Sequence, residues 1–245
     1  PPPWPALIKA ALSKVVPRPT MDTDADTEHQ RYVDDAFTRA QKDLKLTPEQ
    51  LRGYFKYFPG QGDQPDASPS ASPEPGPSAG SGGGSSDDPC ARPQSQRVHY
   101  QPLVKGRPQG ATALICPQDL KKPNQGRDDG GNPYVAGFPN PNPQDADGIF
   151  VYNRTHIFAD RFGGEWRSEN LFTGYRLMNT SGMKRCENRM ASQLKAGNPV
   201  LYSGQLSYAD NTTLKPDSIR MTAVTKKGVL FDTPVTNQQR KGHSC

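Results

Sequence analysis

The sequence predicts an α+β domain on an antiparallel sheet, preceded by a small helical segment and a linker that builds no core. Three observations carry this. Beyond about residue 93, short apolar runs of strand length stand before and after one long pattern of helical period. Between residues 60 and 92 the stretch DASPSASPEPGPSAGSGGGSSDD has almost no apolar content, so it cannot offset the entropy of ordering. The charge changes sign across that stretch, from a net −3 over residues 1–92 to +8 over 93–245, within a chain of 245 residues and net charge +5. The regions are therefore a small helical N-terminal region (1–59), a Pro/Gly/Ser-rich linker (60–92) and a basic domain (93–245).

The elements follow in order. Residues 4–16 have the composition of a short helix. Residues 27–58 predict a helical hairpin. Tyr32, Val33, Ala36, Phe37, Ala40 and Leu44 recur at helical spacing. Thr47-Pro48-Glu49-Gln50 has the form of a capping box that opens the second helix, and Pro59-Gly60 ends it. Val98–Tyr100 and Ala111–Cys116 read as strands. Residues 121–147, rich in Asn, Pro, Gly and Asp, read as loop. Gly148–Tyr152 reads as a short strand, with Thr155–Phe158 extended and Phe162-Gly163-Gly164 a turn. Leu177–Lys195 has helical period, with Met183, Cys186, Met190 and Leu194 on one side and Gly197 beyond its end. Val200–Ser207, Ile219–Val224 and Val229–Phe231 complete the strands.

Composition excludes several classes. No run of about 18 apolar residues exists, which removes a transmembrane helix. There is no G-X-Y period and no long heptad array, which removes collagen and coiled coil. The four cysteines, Cys90, Cys116, Cys186 and Cys245, form no C-x-x-C pair, which argues against a zinc ribbon. An even number at wide spacing fits two disulfides in an oxidising, secreted setting. Of the three pairings, Cys90–Cys116 with Cys186–Cys245 is preferred, because it tethers both ends of the basic domain. Residues 4–16 are short and carry Lys9 and Lys14, unlike a signal peptide. A signal already removed upstream is the expectation.

A basic domain suits a polyanionic partner such as nucleic acid. Its candidate chemistry centres on His156, where an extended segment meets the Gly-Gly turn between Arg154 and Arg161. An imidazole titrates near neutral pH and can accept a proton there, and a neighbouring guanidinium favours its neutral form. Asn179 and Glu187 lie eight positions apart on the predicted helix, about two turns at ~100° per residue. An amide oxygen and a carboxylate so spaced suit a hard cation such as Mg²⁺, which keeps several waters and needs only one or two protein ligands. Asn179 as the helix N-cap is the competing reading.

Residues 153–188, NRTHIFADRFGGEWRSENLFTGYRLMNTSGMKRCEN, resemble the DNA/RNA non-specific endonucleases, the ββα-metal or His-Me finger nucleases. That pattern is R-G-H, a Gly-Gly turn, an N-L pair, then an Asn followed eight residues later by Glu. Upstream GRPQGATALI (106–115) and the later strands extend the resemblance to roughly residues 94–235. It implies His156 as general base, Asn179 as the single direct Mg²⁺ ligand and Glu187 as the acid that binds metal-bound water. It implies Asn170 beside the catalytic His and the phosphate, and Arg154 on substrate or metal-bound water. Arg161, Arg185 and Arg189 are the candidate substrate contacts. Thr155 stands where the pattern has Gly, and Asn153 where many members have Asp.

The implied activity is sequence-non-specific hydrolysis of DNA and RNA to 5′-phosphate products, with Mg²⁺, Mn²⁺ or another divalent cation. The alternatives are a non-catalytic nucleic-acid-binding protein, or the same nuclease deployed as an antibacterial toxin. In each, residues 1–92 are available for a protein partner or inhibitor.

Overall fold

The computed structural model describes residues 23–55, 88–126, 130–240 and 245, without the side chains of 23–27. The helical reading of 4–16 and most of the linker reading, 60–87, lie outside the described residues. Five strands form one antiparallel sheet in the order β1-β2-β5-β6-β7: β1 (Val98–Tyr100), β2 (Gly110–Ile115), β5 (Val200–Ser207), β6 (Ser218–Thr225) and β7 (Gly228–Thr236). Strands β3 (Tyr152–His156) and β4 (Leu171–Tyr175) form a separate antiparallel hairpin. Helix α3 (Lys184–Lys195) follows the hairpin directly through a π-helical turn, Met178–Met183. Strand, strand and helix in succession form a ββα unit.

The period of two along each strand splits the apolar residues between two cores. Ala111, Ala113, Ile115, Val200, Tyr202, Met221 and Ala223 face one side, where Met190 and Leu194 of α3 and Phe172 of β4 meet them. Leu114, Leu201 and Val224 face the other side. That second face is covered by α1 (Thr23–Asp43) and α2 (Pro48–Tyr54), through Val33, Phe37, Ala40, Leu44, Leu51 and Phe55. The helices that read as a separate small region therefore complete the back of the sheet. Their apolar stripe is used within the chain. Buried Asp232 fastens α1 further, accepting from Arg220, Thr222 and the His29 ring.

Local signals held where they were local. The capping box at Thr47 forms with both of its bonds, Gln50 N–H to Thr47 Oγ1 and Thr47 N–H to Gln50 Oε1. Both preferred disulfides are present, Cys90–Cys116 and Cys186–Cys245. The first ties Cys90, in a 3₁₀ turn over Pro89–Ala91, to Cys116, the residue after β2. Three expectations need correction. Helix α2 ends at Tyr54 with Phe55 already extended, so Pro59-Gly60 does not end it. Residues 148–151 are irregular apart from an isolated bridge from Phe150 to Gln144, and the strand expected there begins at Tyr152. Strand β7 runs on through Pro234 to Thr236, because it lies at the sheet edge, where a missing N–H is tolerated. Among the described residues no helix is long and apolar enough to cross a membrane.

Candidate active site

His156 is the last residue of β3, paired across the hairpin with Leu171. The turn beyond it is held rigidly. Gly163 has φ +88° and Gly164 packs so closely on the Phe158 carbonyl that a Cβ there has no room. Asn170 braces the turn from inside. Its Oδ1 accepts from Phe158 N at 2.8 Å, and its Nδ2 donates to Phe158 O at 3.0 Å and to Glu165 O at 2.9 Å. From the sheet, the Tyr202 hydroxyl donates to the carbonyl of Ile157 at 2.7 Å. Side chain and sheet thus fix the backbone on the C-terminal side of His156.

Asn179 lies within the π turn and Glu187 in the first turn of α3. This removes the N-cap reading of Asn179. At ~100° per residue, eight residues overshoot two full turns by roughly 80°. An i→i+5 turn is wider and rotates the chain less per residue, so the π segment removes much of that excess. The amide and the carboxylate thereby come to one side of the helix. Thr180 and Ser181 hydroxyls donate to the carbonyls four residues back, at 2.8 and 2.6 Å, a pattern that bends helices.

Strand and helix enclose one cleft of about 1130 Å³, whose wall includes His156, Asn179, Glu187, Arg154 and Arg161. Among its described lining residues, six are Lys or Arg and two are acidic, so the field favours an anion. The His156 ring lies 5.4 Å from that of Trp166. The Arg154 guanidinium sits 4.8 Å above the Phe138 ring, and Arg161 donates to Asn188 Oδ1 at 2.7 Å. Arg154 Nε and Trp166 Nε1 are buried donors with no acceptor among the described residues. Phosphate oxygens are the acceptors such a site suits. Burial pushes the Glu187 carboxyl up to about 7, against the pull of Arg161 and Lys184.

Among the described residues no group of three or more His, Cys, Asp or Glu could hold a metal, so a ligand cage built from such side chains is absent there. From the helix the cleft offers the Asn179 amide and the Glu187 carboxylate, with Asp160 and Asn153 also on its polar wall. That suits a hard ion that keeps most of its waters, and not a soft-ligand zinc site. The raised Glu187 carboxyl fits as well, since a neighbouring cation favours its ionised form.

Not every expected residue reaches the cleft. Asn170 is fully buried with its amide bonded to backbone, so it contacts the turn rather than a phosphate. Arg189 turns to β7, donating to Leu230 O at 2.6 Å beside the Phe231 ring. Arg185 is exposed and outside the cleft wall. Thr155, in place of Gly, is buried with its Oγ1 against Gly174 on β4, so its side chain leaves the cleft open. Sequence reasoning missed strand β4, Phe138, Trp166 and Tyr152. Trp166 was the one with a signal, since it is one of two Trp in the chain and stands two residues past the Gly-Gly turn.

A family model for DNA/RNA non-specific endonucleases matches residues 105–227. No curated protein matches the chain. Among solved structures, the chain is similar to the Sda1 nuclease with bound zinc ion, at 21% identity and a TM-score of 0.47, covering 58% of this chain and 73% of that one. It is also similar to NucA from Streptococcus agalactiae. The form with no metal bound gives 18% identity, 58% and 71% coverage and a TM-score of 0.46. The magnesium-bound form gives 17%, 58% and 72%, and 0.46.

Proposed function

The chain belongs to the DNA/RNA non-specific endonuclease family of hydrolytic enzymes, and from that premise we propose that it is a metal-dependent endonuclease cleaving DNA and RNA without sequence preference. The observation that carries the reading is the shared cleft: an imidazole from a strand and an amide from a helix, in cationic surroundings. The products carry 5′-phosphates, as the family likeness implies.

In this reading neutral His156 is the general base and takes a proton from the attacking water. Trp166 and the braced turn hold the ring in place. Asn179 would hold a divalent ion directly and Glu187 would hold it through water. Bound there, Mg²⁺ or Mn²⁺ would stabilise charge on the phosphoryl and leaving oxygens. Arg154 and Arg161 bind phosphate oxygens and position the strand. Asn170 is a positioning residue acting through the turn. Grip through phosphates alone explains both the lack of sequence preference and the acceptance of RNA with DNA. Water, rather than a 2′-hydroxyl, is the nucleophile. The two disulfides support a secreted protein.

The test is nicking of supercoiled plasmid and degradation of a long RNA, each with MgCl₂ and with EDTA. Cleavage of both that needs the cation, and that falls about 10²–10⁴-fold in His156→Ala, is expected. Tight binding without cleavage would replace this reading with a non-catalytic one.

A further inference from the structure

The face of β3 that carries His156 continues beyond Arg154. Tyr152, Arg154 and His156 alternate on one side of the strand, which places Tyr152 about 13 Å from His156 at a rise of ~3.3 Å per residue. Tyr152 pairs in register with Tyr175 of β4. The two rings stand 4.7 Å apart at 37°, and the Tyr152 hydroxyl donates to that of Tyr175 at 3.2 Å. Lys215, from the loop before β6, donates through Nζ to Tyr175 at 3.1 Å and to Tyr152 at 3.4 Å. The same Nζ lies 4.4 and 5.0 Å from the two ring centres.

This cluster separates two concavities. Tyr152 belongs to the wall of the catalytic cleft, while Tyr175 and Lys215 belong to a second recess of about 480 Å³. All three side chains remain partly exposed. Among the described residues no carboxylate is paired with Lys215, and only two of its three N–H groups are used by the phenols. A cation held on two aromatic hydroxyls at the rim of a recess is prepared for an anion. Two partly exposed rings beside it are prepared for a flat, apolar face. A nucleotide has both.

We propose that Tyr152, Tyr175 and Lys215 form a second nucleotide subsite, which takes a nucleotide of the substrate strand a few positions from the scissile bond. The base stacks against the tyrosines, the phosphate meets Lys215, and the amides of Gln238 and Gln239 on the recess wall accept any base edge. The proposal rests on the nuclease reading above. It gives the enzyme a grip on polymers that a small diester cannot use, without adding sequence preference.

The experiment measures binding and turnover in the full chain. Binding of a labelled single-stranded 12-mer is followed by anisotropy in EDTA. Tyr175→Leu should weaken it roughly 5- to 100-fold, the usual worth of one base–aromatic stack, and Tyr175→Phe, which keeps the ring but gives up the bond to Lys215, should weaken it less. Lys215→Met should reduce the slope of log affinity against log salt by about 0.7, one phosphate contact. With MgCl₂, KM for the 12-mer should rise in Tyr175→Leu and Lys215→Met at unchanged kcat. Cleavage of bis(4-nitrophenyl) phosphate, which has no flanking nucleotide, should stay at the wild-type rate. Unchanged affinity and KM in both variants, with normal melting curves, would overturn the subsite, as would an equal loss on the small diester. A wild-type protein that binds through these residues but cleaves neither substrate would support the subsite and refute the nuclease reading.

Discussion

Replacing Asn170 with Ala separates a positioning role from contact with substrate. The side chain is fully buried, and its amide makes three bonds to the backbone of the turn, at 2.8, 3.0 and 2.9 Å. Truncation leaves one buried N–H and two carbonyls short of a partner, at about 1–3 kcal/mol for each group left unsatisfied. Allowing for partial relaxation and for the second lone pair of each carbonyl, the total cost is on the order of 3–5 kcal/mol. For a chain of this size that lowers Tm by roughly 10–15 °C. The turn also sets where His156 and Trp166 stand, and a displacement of about 1 Å costs ~10²-fold in rate. Differential scanning calorimetry beside initial rates, both at 20 °C below the variant's Tm, decides the matter. The expected result is a lower Tm together with a kcat reduced on the 12-mer and on the small diester alike. A variant with wild-type Tm and a hundredfold rate loss would refute the bracing role and return Asn170 to the phosphate.

Three further predictions follow from the same geometry. His156→Ala should lose activity without losing stability, since its ring lines the cleft and belongs to neither apolar core; a fall in Tm of more than a few degrees would contradict this. In EDTA, the raised Glu187 carboxyl makes the folded protein lose stability as pH rises from its unfolded value of 4.5 through about 7, by on the order of 3 kcal/mol. Glu187→Gln should therefore melt higher than wild type at pH 8 and equally at pH 4, and a gap independent of pH would sink the assignment. Removing residues 1–92 should yield an aggregated or unfolded protein, because it uncovers Leu114, Leu201 and Val224 and leaves Cys116 unpaired. A soluble truncation with native melting would show that α1 and α2 are dispensable.

The sequence by itself determined what is written in short-range chemistry. The capping box at Thr47, the Gly163-Gly164 turn, the amphipathic side of α3 and the run Val200–Ser207 each depend on neighbours within a few residues, and each formed as read. The basic surplus beyond residue 93 was likewise a matter of counting. His156, Asn179 and Glu187, proposed here as the site, were picked out by the spacing of a known pattern rather than by any local preference, and they line one cleft. Tertiary structure decided the rest. Strand β4 carries the strand formers Phe172, Thr173 and Tyr175 but is short and interrupted by Gly174, and its pairing with β3 fixes it. The π turn at Met178–Met183 helps bring Asn179 and Glu187 to one cleft wall, and residue periodicity gives no warning of it. Asn170 and Arg189 look like substrate contacts in a motif; packing gives one to the turn and the other to β7. Which way a polar side chain faces depends on partners far along the chain, and only folding brings those partners near.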